Sequence, residues 1–282
     1  MSASLYVVAT PLGNLGDLTA RAAEVLRLVG VVAAEDTRRT SRLLSHLGAS
    51  PRLLSFHAHS PDRRIGTLLE ILREGRDVAL VSDAGTPLIS DPGTDLVDAV
   101  RQAGFRIVPI PGPSAVITAL SAAGLGGDRY LFLGFVPRKG GERRRLLERA
   151  AAEPWPVVFF EAPGRLAALL GDLMALTGPA RRATVARELT KIHEEIRTDS
   201  LETLVADYAS REVLGEVTVV LAGADPGAPA ETGPPAEAGD LARELLRAGG
   251  TRKDVAAQLT ERLGLPRNDA YRLVNELDLT SE

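Results

Sequence analysis

Two hydrophobic periods alternate along the first 112 residues. Short apolar runs at Leu5–Ala9, Val31–Ala34 and Val78–Val81 read as strands buried on both faces. Arg52–Phe56 and Arg106–Ile110 complete a set of five. Between them apolar residues recur at three and four positions, as in Leu18, Ala22, Val25, Leu26 and Val29. That is the spacing of an amphipathic helix. Similar helices are predicted over Thr40–Leu47, stopped by Gly48, over Asp62–Glu74 and over Thr94–Arg101. Strands and helices alternating in this way predict a parallel sheet covered by helices.

The second half mixes its signals. A helix Ala115–Ala123 closes at Gly124, and strands are predicted at Tyr130–Val136, Pro156–Phe160, Ala183–Arg187 and Glu216–Ala222. A helix Leu166–Leu176 and a turn plus helix within Ile196–Ala209 lie among them, so a mixed sheet is expected. From Gly223 to Gly239 the chain is Ala, Gly, Pro and Glu with almost no large apolar residue, the composition of a flexible linker. Two or three short helices then follow from Asp240, with Leu245, Val255, Leu259, Leu273 and Val274 on their apolar faces. The expected organisation is an α/β domain over 1–112, a second over 113–223, a linker over 224–239 and a helical module over 240–282.

Composition narrows the chemistry. There is no cysteine, which removes disulfides, thiolate metal sites and Cys nucleophiles. Four histidines show no metal-binding spacing, so no metal is expected. A net charge of -4 argues against bulk attraction to nucleic acid and leaves room for a local basic patch. The start Met1-Ser-Ala-Ser-Leu-Tyr lacks a basic leader, and no apolar stretch approaches the roughly 20 residues that cross a bilayer. A cytoplasmic protein without a membrane partner is expected.

The loops after the strands carry the candidate chemistry. Those at 10–17, 82–93 and 111–115 are dominated by Gly, Pro and small polar residues, and they fall where open α/β sheets bind ligands. Neither the G-x-G-x-x-G nor the P-loop pattern is present, so a small organic cofactor between two domains fits better than a dinucleotide or a nucleoside triphosphate. Glu35-Asp36 ends a strand and reads either as a site carboxylate pair or as the cap of the next helix. Arg38, Arg39 and Arg42 stand near it as phosphate ligands or solvated surface. Arg187-Glu188-Leu189-Thr190-Lys191 puts three ionisable groups at another strand end. His57 and His59 are either substrate contacts or solvated. Arg138, Lys139, Arg143, Arg144, Arg145 and Arg149 form either a solvated helix face or, after Gly140-Gly141, a mobile phosphate-binding loop.

Five segments together are specific. Ala9-Thr-Pro-Leu-Gly-Asn-Leu-Gly-Asp17, Ala33-Ala-Glu-Asp-Thr-Arg38, Ser82-Asp-Ala-Gly-Thr-Pro-Leu-Ile-Ser-Asp-Pro-Gly93, Pro109-Ile-Pro-Gly-Pro-Ser-Ala115 and Ala186-Arg-Glu-Leu-Thr-Lys191 stand in that order and spacing. From Leu5 to about Gly223 the chain resembles the ribosomal RNA small subunit methyltransferase I family, within the tetrapyrrole methylase superfamily. Its helical tail is also similar to that family's.

The resemblance implies a two-domain α/β tetrapyrrole-methylase-like fold, with a parallel N-terminal sheet, a mixed second sheet and a small helical module. It implies a homodimer that uses S-adenosylmethionine to methylate the 2′-hydroxyl of a cytidine in the decoding region of small-subunit RNA. Carried over by position, cofactor contacts fall on Pro11, Leu12, Gly13, Ser82, Asp83, Ala84, Gly85, Thr86, Pro87, Leu88 and Ile89. Ser114, Ala115, Glu161, Ala162, Leu189 and Gly215 complete them. Glu35, Asp36, Glu188 and Lys191 are the candidates for activating the ribose hydroxyl, and Arg38, Arg39, Arg138, Lys139 and Arg187 for holding the RNA. Two positions depart from the family pattern: Ser60-Pro61 stands where Asn-Glu is usual, and Gly164 stands where the family has His. The competing readings are a porphyrinogen or precorrin methylase and a non-catalytic factor in assembly of the 30S subunit.

Overall fold

The computed structural model describes residues 3–57, 62–224, 236–263, 265 and 267–277. Its first sheet contains β1 (Ser4–Val8), β2 (Val31–Ala34), β3 (Arg52–Ser55), β4 (Val78–Val81) and β5 (Arg106–Ile110), in the order β3-β2-β4-β1-β5. Every pairing in it is parallel. Helices α1 (Ala20–Leu28), α2 (Thr37–Leu47), α3 (Asp62–Arg73) and α4 (Thr94–Gln102) supply the crossovers. All four residues of β2 and of β4 are buried, because these strands are flanked on both sides and covered on both faces. Leu5, Leu80, Leu68 and Leu96 fill one face; Val8, Leu26, Leu44 and Val81 fill the other. Each such side chain contributes about 1.5–3 kcal/mol of burial.

The second sheet joins β6 (Leu131–Phe135), β7 (Val157–Glu161), β8 (Arg182–Arg187), β9 (Glu195–Ser200) and β10 (Val217–Leu221) in the order β6-β7-β10-β8-β9. Only β6 and β7 pair in parallel, so the sheet is mixed, as expected. Helices α5 (Ala115–Ala123), α6 (Gly140–Ala152), α7 (Leu166–Thr177) and α8 (Leu201–Tyr208) belong to this half. The boundary expected at 112/113 falls between the two sheets, which nevertheless form one compact unit, Met1–Pro226. The remainder, Gly227–Glu282, is a separate unit of three helices, α9 (Ala236–Arg247), α10 (Arg252–Leu263) and α11 (Arg267–Glu276), around Ala242, Val255, Leu259 and Val274.

Four expectations change. Helix α2 begins at Thr37 rather than Thr40, because Asp36 caps it. The segment read as a turn before α8 is the edge strand β9, whose residues Glu-Ile-Arg-Thr-Asp-Ser lack an apolar run and are recognisable only through pairing with β8. The basic stretch after Lys139 is helical from Gly140, so it is not a loop. Helix α9 starts at Ala236 and takes the last part of the expected linker; residues 225–235 lie outside the described ones, as do His59 and Ser60-Pro61.

Candidate active site

Three loops at the carboxyl edge of the first sheet are tied together by their own backbone. Thr10 and Gly85 exchange N–H···O=C bonds of 2.9 and 3.0 Å. The Thr10 hydroxyl donates to the Ser82 carbonyl at 3.2 Å, and the Thr86 hydroxyl to the Pro113 carbonyl at 3.0 Å. Gly85 holds φ +83°, a conformation that favours glycine, and a Cβ there would also crowd Leu12 at 3.2 Å. The loop can therefore present bare backbone to a ligand.

The adjoining loop after β2 is fastened through carboxylates. Asp83 accepts the Asp36 N–H at 2.9 Å and lies 3.6 Å from the Arg39 guanidinium. Asp36 accepts the Arg38 N–H at 2.8 Å and takes the Arg38 guanidinium on both oxygens, at 3.1 and 2.7 Å. These bonds hold the Asp36 carboxyl far below the usual carboxylate range. Glu35 moves the opposite way: burial first, then the charge of Asp83, raises it.

A cleft of about 420 Å³ opens above these loops. The first half contributes Leu12, Glu35, Arg39, Asp83 to Thr86, and Ile89 to Asp91. The second half closes it with Ser114 to Val116, Phe135, Phe160 to Pro163, and Gly215 to Thr218. Phe135 packs edge-on to Phe160 with ring centroids 5.4 Å apart. Glu161, at the end of β7, has no exposed side-chain surface. It accepts the Ala162 N–H at 2.7 Å and pairs with Arg165, with Arg143 a further 3.7 Å away.

A second charged cluster stands beside Gly215 and Glu216. Lys191 Nζ lies 2.7 Å from Glu188 and 3.2 Å from Glu216. Glu188 also accepts the Glu216 N–H at 3.0 Å. The turn that carries Lys191 is left-handed at two non-glycine residues, Glu188 at φ 52° and Thr190 at φ 67°. The Thr190 hydroxyl accepts the Asn14 N–H at 3.1 Å, tying this turn to the first loop. Burial disfavours both charges, but their hydrogen bond and Glu216 outweigh it, so the Lys191 pKa rises and the Glu188 pKa falls.

Sequence comparison matches this arrangement to known proteins. The profile of the tetrapyrrole (corrin/porphyrin) methylases covers residues 4–205. Ribosomal RNA small subunit methyltransferase I of Synechocystis is 44% identical over 277 residues, 97% of this chain and 98% of that protein. Its namesake from Escherichia coli O157:H7 is 45% identical over 276 residues, 96% of this chain and 94% of its own. The chain belongs to the ribosomal RNA small subunit methyltransferase I family. Among solved structures, uroporphyrin-III C-methyltransferase of Thermus thermophilus complexed with S-adenyl homocysteine aligns with a TM-score of 0.58 at 20% identity, over 78% of this chain and 97% of that one. That likeness shows the tetrapyrrole methylase fold.

Within this methyltransferase family member the expected residues divide. Leu12, Asp83, Ala84, Gly85, Thr86, Ile89, Ser114, Ala115, Glu161, Ala162 and Gly215 share the cleft wall, with Glu35 and Arg39 from the other groups. Pro11, Gly13, Ser82, Pro87, Leu88 and Leu189 are not in that wall. Leu189 instead packs into a core with Val116, Val158 and Val220, and Gly13 lies against the stem of Lys191. Arg187 is taken by Glu195 at 3.1 Å and by the Leu214 carbonyl at 3.2 Å. Arg38 serves Asp36. Arg138 and Lys139 are exposed where α6 begins, while Arg143 turns inward to Asp172 at 2.7 Å.

Glu216, Phe135, Phe160 and Thr218 line the cleft although no sequence motif singled them out for it, and Asp91 lines it without having been named as a site residue. Asp91 had a signal in the Asp91-Pro92-Gly93 turn of the third matched segment. The two Phe residues had none, since an aromatic in a strand most often reads as core.

Proposed function

We infer that this chain moves a methyl group from S-adenosylmethionine to the 2′-hydroxyl of a cytidine in the decoding region of small-subunit ribosomal RNA, in the cytoplasm and as a homodimer. What carries the reading is the match to relatives of that name along 97% of the chain. The cleft is compatible with the cofactor. Its volume is that of a small-molecule site, and Gly85 opens backbone to close approach. Five carboxylates, Glu35, Asp83, Asp91, Glu161 and Glu216, line the cleft against one guanidinium, Arg39, a balance that suits a cationic ligand.

S-adenosylmethionine supplies an electrophilic methyl on a sulfonium. The protein's share is to align a ribose hydroxyl and take its proton. Loops 84–86 and 114–116 would hold the cofactor, and Lys191, held by Glu188 and by the cleft residue Glu216, is the cation assigned to a developing alkoxide. Arg39, Arg138 and Lys139 are the groups assigned to RNA phosphates. For a dimer, exposed apolar side chains at Ile192 (96% exposed) and Leu214 (64%) offer buriable surface.

The test is small subunits incubated with the protein and methyl-labelled S-adenosylmethionine, followed by mass mapping of the RNA. One labelled cytidine whose 3′ linkage resists alkali is the expected result. Bound cofactor with no label in RNA from free, partly assembled or complete subunits overturns the reading. Sedimentation at micromolar concentration checks the dimer.

A further inference from the structure

The loop from Thr86 to Gly93 follows a costly path. Leu88 and Ser90 are both left-handed, at φ 73° and 67°, and Gly93 follows at φ 136°. Non-glycine residues stay in that region only where their surroundings over-determine them, and such strain gathers at functional sites. Here Leu80 lies 2.8 Å from where a Gly93 Cβ would stand, and the Ser90 hydroxyl 3.4 Å from that of Gly134 in β6. The loop thus leaves β4 and reaches across to the second sheet. Its route brings Ser90 and Asp91 into the cleft wall, where the Ser82 hydroxyl at the end of β4 favours the ionised Asp91 carboxylate.

We propose that Asp91 is the catalytic base, accepting the proton of the ribose hydroxyl; this rests on the methyl-transfer reading above. As the ribose oxygen bonds the methyl carbon, the carbon–sulfur bond breaks to leave a neutral thioether. The O–H proton passes to Asp91 and from there to water.

The other carboxylates are committed. Asp36 is held by Arg38, Asp83 by the Asp36 N–H and Arg39, Glu188 by Lys191 and the Glu216 N–H, and Glu216 by Lys191. Glu161, in the same wall, is held by the Ala162 N–H and Arg165 through one oxygen and has Arg143 3.7 Å from the other. Glu35 is the remaining rival, half-buried there. Burial first, then the charges of Glu35, Asp83 and Glu216, outweigh the Ser82 hydrogen bond and push Asp91 up to about 6. Arg39 is the cation on the same wall. A base near that value is ionised at neutral pH and still basic enough to take a proton.

The experiment uses full-length wild type, Asp91→Asn, Ser82→Ala and Glu35→Gln. Three quantities are measured: single-turnover methyl transfer to small subunits from pH 5 to 9, calorimetric affinity for S-adenosylhomocysteine, and carboxyl 13C NMR of the ligand-free protein. Asp91→Asn is expected to slow transfer about 100-fold or more, keep affinity within threefold, and lose the resonance with a midpoint near 6. Ser82→Ala removes a hydroxyl that favours the ionised form, so that midpoint and the acid limb of the rate should move up together. If Asp91→Asn does not fold, the Ser82→Ala comparison decides. Transfer by Asp91→Asn within fivefold of wild type overturns the proposal. So does an acid limb that Glu35→Gln abolishes, or one that stays put in Ser82→Ala while the resonance moves. Wild type that binds the ligand and methylates no RNA overturns the methyl-transfer reading itself, and this role with it.

Discussion

The Lys191 ammonium lies 2.7 Å from the Glu188 carboxylate, at the end of a turn strained at residues 188 and 190. Its methylene stem crosses Gly13, where any Cβ would overlap Lys191 Cγ. One glycine in the first loop and one strained turn in the second half thus fix a single cation. Lys191→Ala should lower the single-turnover rate by about 10²–10³ if Lys191 stabilises the developing alkoxide. Calorimetric affinity for S-adenosylhomocysteine should change only severalfold. Gly13→Ala should reproduce much of that loss, and the double variant should be no slower than Lys191→Ala alone. Additive losses would show that Gly13 serves something other than Lys191.

Asp91 makes a prediction about stability with a definite sign. Its pKa rises from 3.8 to about 6 on folding, so the folded protein binds the proton more tightly than the unfolded chain. That contribution is complete below 3.8 and is lost as pH rises through about 6. Asp91→Asn should therefore raise the thermal midpoint at pH 7.5 relative to wild type, and by less at pH 5. An unchanged difference between the two pH values would contradict a perturbed Asp91.

Glu195 joins β9 to the loop before Gly215. It accepts Arg187 at 3.1 Å, Arg211 at 2.5 and 2.6 Å, and the Tyr208 hydroxyl at 3.1 Å. Burial opposes its charge, but the bonds from Arg211, Arg187 and Tyr208 prevail and lower its pKa. Its stabilisation is present above 4.5, the ordinary value, and fades as pH falls through the lowered one. Glu195→Ala should cost about 2 kcal/mol in urea unfolding at pH 7, because two guanidiniums lose a charged acceptor. The gap to wild type should narrow in acid.

Asp36 tests a division of labour. With one oxygen on the Arg38 N–H and both on its guanidinium, it serves as the N-cap of α2. Asp36→Ala should lower the thermal midpoint by removing the N-cap of α2 and leave methyl transfer, at a temperature where the variant is folded, within about tenfold of wild type. A loss comparable to that of Asp91→Asn would return Asp36 to the proton-transfer step.

Local sequence settled much of this molecule. Apolar runs such as Val31–Ala34 and Val78–Val81 declared the central strands, since a strand buried on both faces leaves little choice of residue. The Gly- and Pro-rich stretches at 10–17, 82–93 and 111–115 marked the loops that line the cleft, because their backbone conformations admit few side chains. Tertiary structure alone decided how those loops are used. Leu189 stands two residues before Lys191 in the chain yet packs in a core with Val116, Val158 and Val220, contacts that come from elements distant in sequence. Strand β9 exists because β8 offers it a partner, and β-pairing is a non-local contact that composition does not encode. Asp36 and Asp91 look equally acidic on paper. Arg38 makes one strongly acidic, while burial among Glu35, Asp83 and Glu216 makes the other basic, and only the folded chain brings those neighbours together.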